Sequence, residues 1–280
     1  MTSEPQANSQ LAEYLSQLGP AAVAVSGGVD SMTLGVLAHR VNPNIEIFHA
    51  VSPAVPIQAT ERVKKYASQE NWRLKIIDAG EIEDPDYLAN PANRCYFCKT
   101  NLYDTIVAST SSLVLSGTNT DDLGDYRPGL SAAQEHQVCH PYVECGVSKA
   151  NLRQIALNLG LTDLHDLPAA PCLSSRIETG ITINPNVLPV INEVEEQIWN
   201  QQADSQFLRG VRCRVRASGI VIELETDTAI ADNQVFVQQA MKIAADCFVR
   251  AGFTDIAESV SVEPYQRGSA FLIETLAVEP

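Results

Sequence analysis

The sequence predicts an α/β protein: a parallel-sheet domain followed by a smaller α+β domain. Two patterns predict it. Between residues 21 and 116, four short apolar runs alternate with stretches of helical spacing, the mark of βαβ units around a buried parallel sheet. Beyond residue 185 the order changes to helix, hairpin, helix. A chain of 280 residues accommodates about two domains, each large enough for its own core. We place the first at residues 1–180 and the second at residues 181–280.

Each element follows from its residues. Leu11 to Leu18 has the spacing of a short amphipathic helix, closed by Gly19-Pro20. Ala21–Ser26 is compact and apolar, suited to a buried strand, and Ser31–Arg40 follows as a helix. Ile45–Val51 is the second strand, with a helix near Gln58–Glu70, and Arg73–Asp78 is the third. A helix from about Cys95 to Ala108 leads into a fourth strand at Leu113–Ser116. Ser148–Leu159 is a further helix, capped by Ser148 and stopped by Gly160. Asp163 to Pro185 is irregular and rich in Pro, Gly and Ser, too long for an idle connection. In the second domain Val187–Trp199 is a helix, and Val211–Arg216 pairs with Ile220–Glu225 around Ser218-Gly219. Gln234–Arg250 is a helix, and two short strands close the chain.

Composition narrows the function. Hydrophobic residues make up 45% and charged residues 19%, as in soluble globular proteins. The net charge of −15 repels polyanions, which argues against a nucleic-acid partner but leaves room for a local basic pocket around a small phosphate ligand. The N-terminal MTSEPQANSQ is polar, without the apolar core of a signal peptide. No apolar stretch reaches the ~20 residues of a membrane span. Seven cysteines, an odd number in a chain of this kind, suit core thiols plus metal or catalytic use better than a disulfide framework. The expected location is the cytoplasm, with no membrane partner.

The most specific motif is AVAVSGGVDSMTLG, residues 22–35. An apolar strand runs directly into Ser26, Gly27, Gly28, Val29, Asp30 and Ser31, and then a helix. Adjacent glycines let the backbone turn sharply and approach a ligand. The helix start offers unpaired N–H groups and positive dipole to an anion. Ser26 and Ser31 add hydroxyl donors, and Asp30 suits a magnesium ion shared with phosphates. An ordinary Gly-Gly turn capped by Asp30 or Ser31 would use some of these residues, yet the whole hexapeptide between strand and helix is far more specific. The lysine-bearing G-x-x-x-x-G-K-S/T pattern is absent, which excludes a Walker-type site. The hexapeptide resembles the pyrophosphate loop of the PP-loop ATP pyrophosphatase superfamily, whose fold is that of the adenine nucleotide α-hydrolases. The resemblance implies that ATP binds here and that AMP passes to an acceptor oxygen.

A second segment, Leu115 to Gly129, leaves the fourth strand. Gly117 permits the exit turn, Asn119, Asp121, Asp122 and Asp125 offer oxygen ligands, and Arg127 offers a phosphate partner. A solvated acidic turn would look similar in isolation. Its place at the carboxyl end of a strand, where open α/β sheets bind ligands, favours function.

Pro168 to Gly180, PAAPCLSSRIETG, holds Cys172 with an arginine nearby that could favour a thiolate. Together, GTNTDDLGDYRPGL, SKANLRQIALNLGL and DLPAAPCLSSRIETG resemble the LarE family in content and order, from about Val23 to Gly180 and more loosely beyond. These are ATP-dependent sulfur transferases of nickel-pincer cofactor synthesis. The resemblance implies that ATP adenylates a carboxylate of a pyridinium-3,5-dicarboxylate mononucleotide. Cys172 would then attack the acyl-adenylate, leaving a thiocarboxylate. It also implies a homo-oligomer, a hexamer.

Family members differ in their sulfur source. One kind sacrifices its single cysteine; another carries three cysteines holding a 4Fe–4S cluster. Cys95 and Cys98 stand where the latter have their C-x-x-C, so the resemblance implies a cluster on Cys95, Cys98 and Cys172 with one iron open for sulfide. By spacing alone, the pair is compatible with half a zinc site, a redox pair or two unrelated thiols. Cys139 and Cys145 could complete such a zinc site but read better as incidental thiols, and Cys213 and Cys247 read as core.

In the second domain the family places a glutamate and an R-x-R pair beside the cysteine, matched here by Glu196 and by Arg214 with Arg216. Paired guanidinium forks suit a mononucleotide phosphate. Arg209 and Arg212 leave other registers open, and surface charges on a helix and hairpin would look the same. Rival functions are a PP-loop tRNA thiolase, an amide-forming synthetase, and a non-catalytic nucleotide or iron sensor.

Overall fold

A computed structural model of the chain describes residues 4–124, 126–168, 171–201, 207–266 and 268–270. The chain divides into two compact units, residues 1–84 with 93–170 and residues 85–92 with 171–280.

The first unit is built on four short strands: β1 (Ala21–Ala24), β2 (Glu46–Ala50), β3 (Arg73–Ile77) and β4 (Leu113–Leu115). They pair in parallel in the order β3-β2-β1-β4. Alternation along each strand splits its side chains between two cores. Ala21, Val23, Ile47 and Leu115 face a cluster with Leu11, Leu15, Met32, Leu34 and Leu152. Ala22, Phe48 and Val114 face the other, with Tyr103, Ile106 and Ala132. Helices Glu4–Gln17, Val29–Val41, Ile57–Gln69 and Lys149–Asn158 supply the first cover, Arg94–Ser109 and Gly129–Glu135 the second. A parallel sheet buried on both faces is the expected α/β architecture. At the β3 edge, Lys75 pairs with Glu46 at 2.7 Å, and such charges discourage further strand pairing. Ser148 caps its helix as expected, accepting from Asn151 N.

The helix after β1 starts at Val29, two residues earlier than the expected Ser31. Its N-cap is Gly28, so neither Asp30 nor Ser31 serves as the cap. Both instead lie in the first turn.

The second unit carries a mixed sheet, β5 (Leu208–Arg216), β6 (Gly219–Thr226) and β7 (Val260–Pro264). β5 and β6 form the expected antiparallel hairpin, and β7 joins β6 in parallel. Of the two closing strands expected, β7 is one; residues 271–280 lie outside the described residues. Helices Val187–Gln201 and Gln234–Arg250 pack on this sheet and on each other. No helix among the described residues is long and apolar enough to cross a membrane.

Candidate functional site

The glycine-rich loop sits at the carboxyl end of β1. Val25 N donates to Phe48 O at 2.8 Å, tying the loop's stem to β2. The Ser31 hydroxyl then closes the turn from within, accepting from Ser26 N at 2.9 Å and lying 3.1 Å from Ser26 Oγ. Gly27 adopts φ +83°, and a Cβ there would lie 2.7 Å from Ala59 O. Glycine is required on both counts. Arg62 Nη1 donates to Gly27 O at 2.7 Å. Burial lowers the Arg62 pKa, although its guanidinium stays cationic. His49, buried behind the loop, bridges Val25 O and Thr60 Oγ1 at 2.9 Å each. Burial also pulls its pKa down, in keeping with a neutral ring.

The segment leaving β4 touches this loop. A Cβ on Gly117 would lie 2.8 Å from Ser31 N and 2.9 Å from Ser31 Cα, so glycine permits the approach of the two backbones. Asn119 is buried, and its Oδ1 accepts from Asp121 N at 3.0 Å. Asp122 accepts from Asn119 N and pairs with Arg127 at 2.7 Å. Asn119, Asp122 and Arg127 thus shape the turn, while Asp125 lies outside the described residues.

Both oxygens of the Asp30 carboxylate face Lys149 Nζ, at 2.5 and 2.6 Å. Lys149 N donates to Asp121 Oδ2 at 3.2 Å, and Tyr142 OH donates to Asp30 O at 3.0 Å. One lysine therefore links the glycine-rich loop to the acidic turn. The sequence reading did not single it out. Its signal was available: Lys149 is the first residue of a helix capped by Ser148, where the macrodipole disfavours a cation. Arg62 carried no comparable signal, because its contact depends on how its helix packs.

Asp30 and Asp121 fit a magnesium ion in kind, since that ion is commonly held by one or two carboxylates plus substrate phosphates. Within either unit, no three His, Cys, Asp or Glu side chains among the described residues gather as a metal-holding group. A tightly caged structural metal would need such a group; an ion shared with ATP would not.

Cys95 lies in the first turn of helix Arg94–Ser109 and Cys98 at the start of the second, Cys95 exposed and Cys98 partly so. Two thiols about one helical turn apart on one face are a donor set suited to two iron ligands. A cleft of about 330 Å³ beside the helix start is lined by Asn93, Tyr96, Tyr126, Pro128 and Ser131. Cys139 lies 3.1 Å from Tyr14 OH, and Cys145, Cys213 and Cys247 are buried.

Cys172 belongs to the second unit, half-buried at the start of a short helical turn, Leu173–Arg176. Its loop is held at several points. Arg176, 3% exposed, donates from Nε and Nη2 to Glu195 at 2.9 Å each and from Nη1 to Pro171 O at 2.7 Å and Cys172 O at 3.3 Å. Burial lowers the Arg176 pKa, but bonding to Glu195 and the charge of that carboxylate outweigh it, and the net shift is upward. Glu195 also accepts from Cys213 N on β5 at 2.9 Å. Tyr87 bonds Ser174 at 2.6 Å, and Asn90 Nδ2 donates to Glu178 O and Ile181 O. Residues 85–92 thus fold with the cysteine loop and not with their sequence neighbours.

Glu196 accepts from Asn192 Nδ2 at 2.8 Å. Arg214, buried, pairs with Glu223 at 2.9 Å and donates to Ser175 O at 3.0 Å. Arg216 pairs with Glu223 at 2.6 Å and Glu263 at 2.9 Å. Ser269 also donates to the nearly inaccessible Glu223. Here the expected phosphate ligands brace a buried carboxylate.

A parallel sheet ordered β3-β2-β1-β4, with SGGVDS at the carboxyl end of β1, defines a PP-loop-like α/β protein. The chain belongs to the family of the uncharacterized protein slr1717 of Synechocystis, 38% identical over 268 residues, 92% of this chain and 94% of that protein. The uncharacterized protein MJ0830 of Methanocaldococcus jannaschii is 29% identical over 76% of this chain and 80% of its own length. The pyridinium-3,5-bisthiocarboxylic acid mononucleotide synthase of Lactiplantibacillus plantarum is a more distant homologue, 27% identical over 81% of this chain and 82% of its own length. No protein-family model matches the chain.

Proposed function

We propose that this protein is an ATP-dependent sulfur transferase of nickel-pincer cofactor synthesis, which converts a carboxylate of a pyridinium dicarboxylate mononucleotide to a thiocarboxylate. The observation that carries the reading is the SGGVDS loop with Asp30 held by Lys149 at 2.5 Å. Homology to a synthase of a bisthiocarboxylic mononucleotide supports the substrate class.

ATP lies with its β- and γ-phosphates on Ser26, Gly27, Gly28, Val29 and Ser31, against the helix N-terminus. Lys149 and Arg62 supply positive charge beside them. Asp30 and Asp121 would hold magnesium, which neutralises the phosphates and helps pyrophosphate leave. A substrate carboxylate oxygen attacks the α-phosphorus, the α–β bond breaks, and pyrophosphate departs. Sulfur then attacks the acyl carbon and expels AMP. As its own thiolate, Cys172 would form a thioester whose Cβ–Sγ bond then breaks by β-elimination, leaving the thiocarboxylate on the substrate and dehydroalanine in the chain. As a ligand with Cys95 and Cys98, it would instead help to hold a 4Fe–4S cluster that would supply sulfide. Arg214 and Arg216 offer forks to the mononucleotide phosphate in exchange for part of their hold on Glu223 and Glu263, with Glu196 next in sequence to Glu195, the partner of Arg176. A homo-hexamer is the assembly this reading carries.

The test is anaerobic purification, iron and sulfide analysis, and incubation with ATP, magnesium and the dicarboxylate mononucleotide. AMP, pyrophosphate and a sulfur-bearing product are expected. ADP with orthophosphate would overturn the reading, and AMP with an amide product would favour a synthetase.

A further inference from the structure

We infer that Arg176 and Glu195 act as a clamp that positions Cys172 for sulfur delivery, an inference that rests on the sulfur-transfer reading of this loop. Arg176 spends its donors on the backbone of the nucleophile's own loop: Nη1 reaches Pro171 O at 2.7 Å, Cys172 O at 3.3 Å and Ser175 Oγ at 3.1 Å. Its other edge is taken bidentately by Glu195, a planar fork-to-fork geometry that fixes direction as well as distance. Glu195 is fixed in turn, because it accepts from Cys213 N in β5 at 2.9 Å. The chain of contacts thus runs from a sheet backbone, through two charged side chains, to the carbonyl of Cys172.

The remaining ends of the loop are tied as well. Ser175 N donates to Cys172 O at 3.0 Å, and Arg214 Nη1 holds Ser175 O at 3.0 Å. Ile177 bridges to Val215, with Glu178 N donating to Val215 O at 2.9 Å. The Cys172 carbonyl accepts from the buried guanidinium, while Cys172 itself stays partly exposed. A packing role alone would not require an arginine with its donors spent on the carbonyls flanking one cysteine. An apolar side chain of similar size would fill the space at lower desolvation cost.

The test uses Arg176→Lys and Glu195→Gln in the full-length protein. Lysine keeps the charge but cannot hold Glu195 bidentately and both carbonyls together; glutamine keeps an acceptor for Cys213 N. For Arg176→Lys, ATP–pyrophosphate exchange with the carboxylate substrate should stay near wild type and KM should hold. Single-turnover thiocarboxylate formation should fall roughly tenfold to a hundredfold, the scale of a misplaced reacting group. Glu195→Gln should fall between. Hydrogen exchange at the amides of Ser175 and Ile177, which needs no turnover, should quicken by about tenfold in Arg176→Lys. Unchanged exchange at those amides would overturn the clamp even if no activity were found in the wild type. Wild-type thiolation rates in Arg176→Lys, or equal losses of pyrophosphate exchange and thiolation, would also overturn it.

Discussion

Lys149 Nζ holds both oxygens of Asp30, at 2.5 and 2.6 Å, across 119 residues of sequence. A lysine at a helix start is unfavourable to that helix, so its place is explained by what it touches. The two side chains are about a third exposed, 34% and 32%, and pairs of that kind contribute about 0–1 kcal/mol to stability. Lys149→Ala should therefore leave the denaturation midpoint nearly unchanged. Its effect on pyrophosphate release should be larger, about the 1.5–3 kcal/mol of a lost charged hydrogen bond, or roughly tenfold to a hundredfold. A large stability loss with normal turnover would reverse this assignment.

Gly27 and Gly117 make two different demands on the same loop. At Gly27 an alanine meets Ala59 O at 2.7 Å with a left-handed backbone; at Gly117 it meets Ser31 N at 2.8 Å with an ordinary one. Neither neighbour is a flexible side chain. Gly117→Ala should cost about 1–3 kcal/mol through overpacking and should weaken ATP binding in calorimetry. Gly27→Ala should cost more, since strain adds to the clash. Wild-type ATP affinity in both variants would mean that the loop is not where the nucleotide binds.

Much of the first unit was legible because its signals are local. The strands β1 to β4 came from short apolar runs, and the glycine-rich turn from six consecutive residues between a strand and a helix. The second unit was legible in its hairpin and two long helices. Its site was less so. Glu195 and Glu196 are neighbours in the sequence, yet only the packing of helix Val187–Gln201 on β5 turns Glu195 toward Arg176 and Cys213. Likewise, Arg214 and Arg216 share a strand face, but their ion pairs with Glu223, which the hairpin register sets opposite Arg212, are invisible to spacing. Residues 85–92 belong to the cysteine loop through Asn90 and Tyr87, a long-range partnership with no local pattern.

Glu223 carries the clearest stability prediction. It is 1% exposed and pairs with two arginines, of which Arg214 is itself buried. Removing one partner of a buried ion pair strands the other charge, at about 3–5 kcal/mol. Glu223→Ala should show that loss in urea titration, whereas a change under about 1 kcal/mol would mean the network is largely solvated.

The histidines set an acid limit. His39, His49 and His140 all have folded-state pKa values lowered from 6.5, chiefly by burial. In each case the unfolded chain takes up the proton first. The neutral ring's contribution is therefore full above 6.5 and is lost as pH falls from there through the lower folded-state value. His136, whose pKa is raised, works in the opposite direction. In a His136→Gln background the urea midpoint should therefore drop between about pH 7 and pH 5, before the carboxylates Glu46 and Asp163, whose pKa values are also lowered, begin to protonate. His49→Gln should flatten part of that slope. A midpoint constant across this range would contradict the buried neutral state of these rings.

The most direct test of the central claim is the identity of the nucleotide product under single-turnover conditions. ATP labelled at the α-phosphate is incubated anaerobically with the protein, magnesium and the pyridinium dicarboxylate mononucleotide. Label is expected in AMP, with one pyrophosphate for each thiocarboxylate formed and loss of both in Asp30→Ala with the fold intact. Label recovered as ADP, or AMP formed equally well by Asp30→Ala, would contradict the claim.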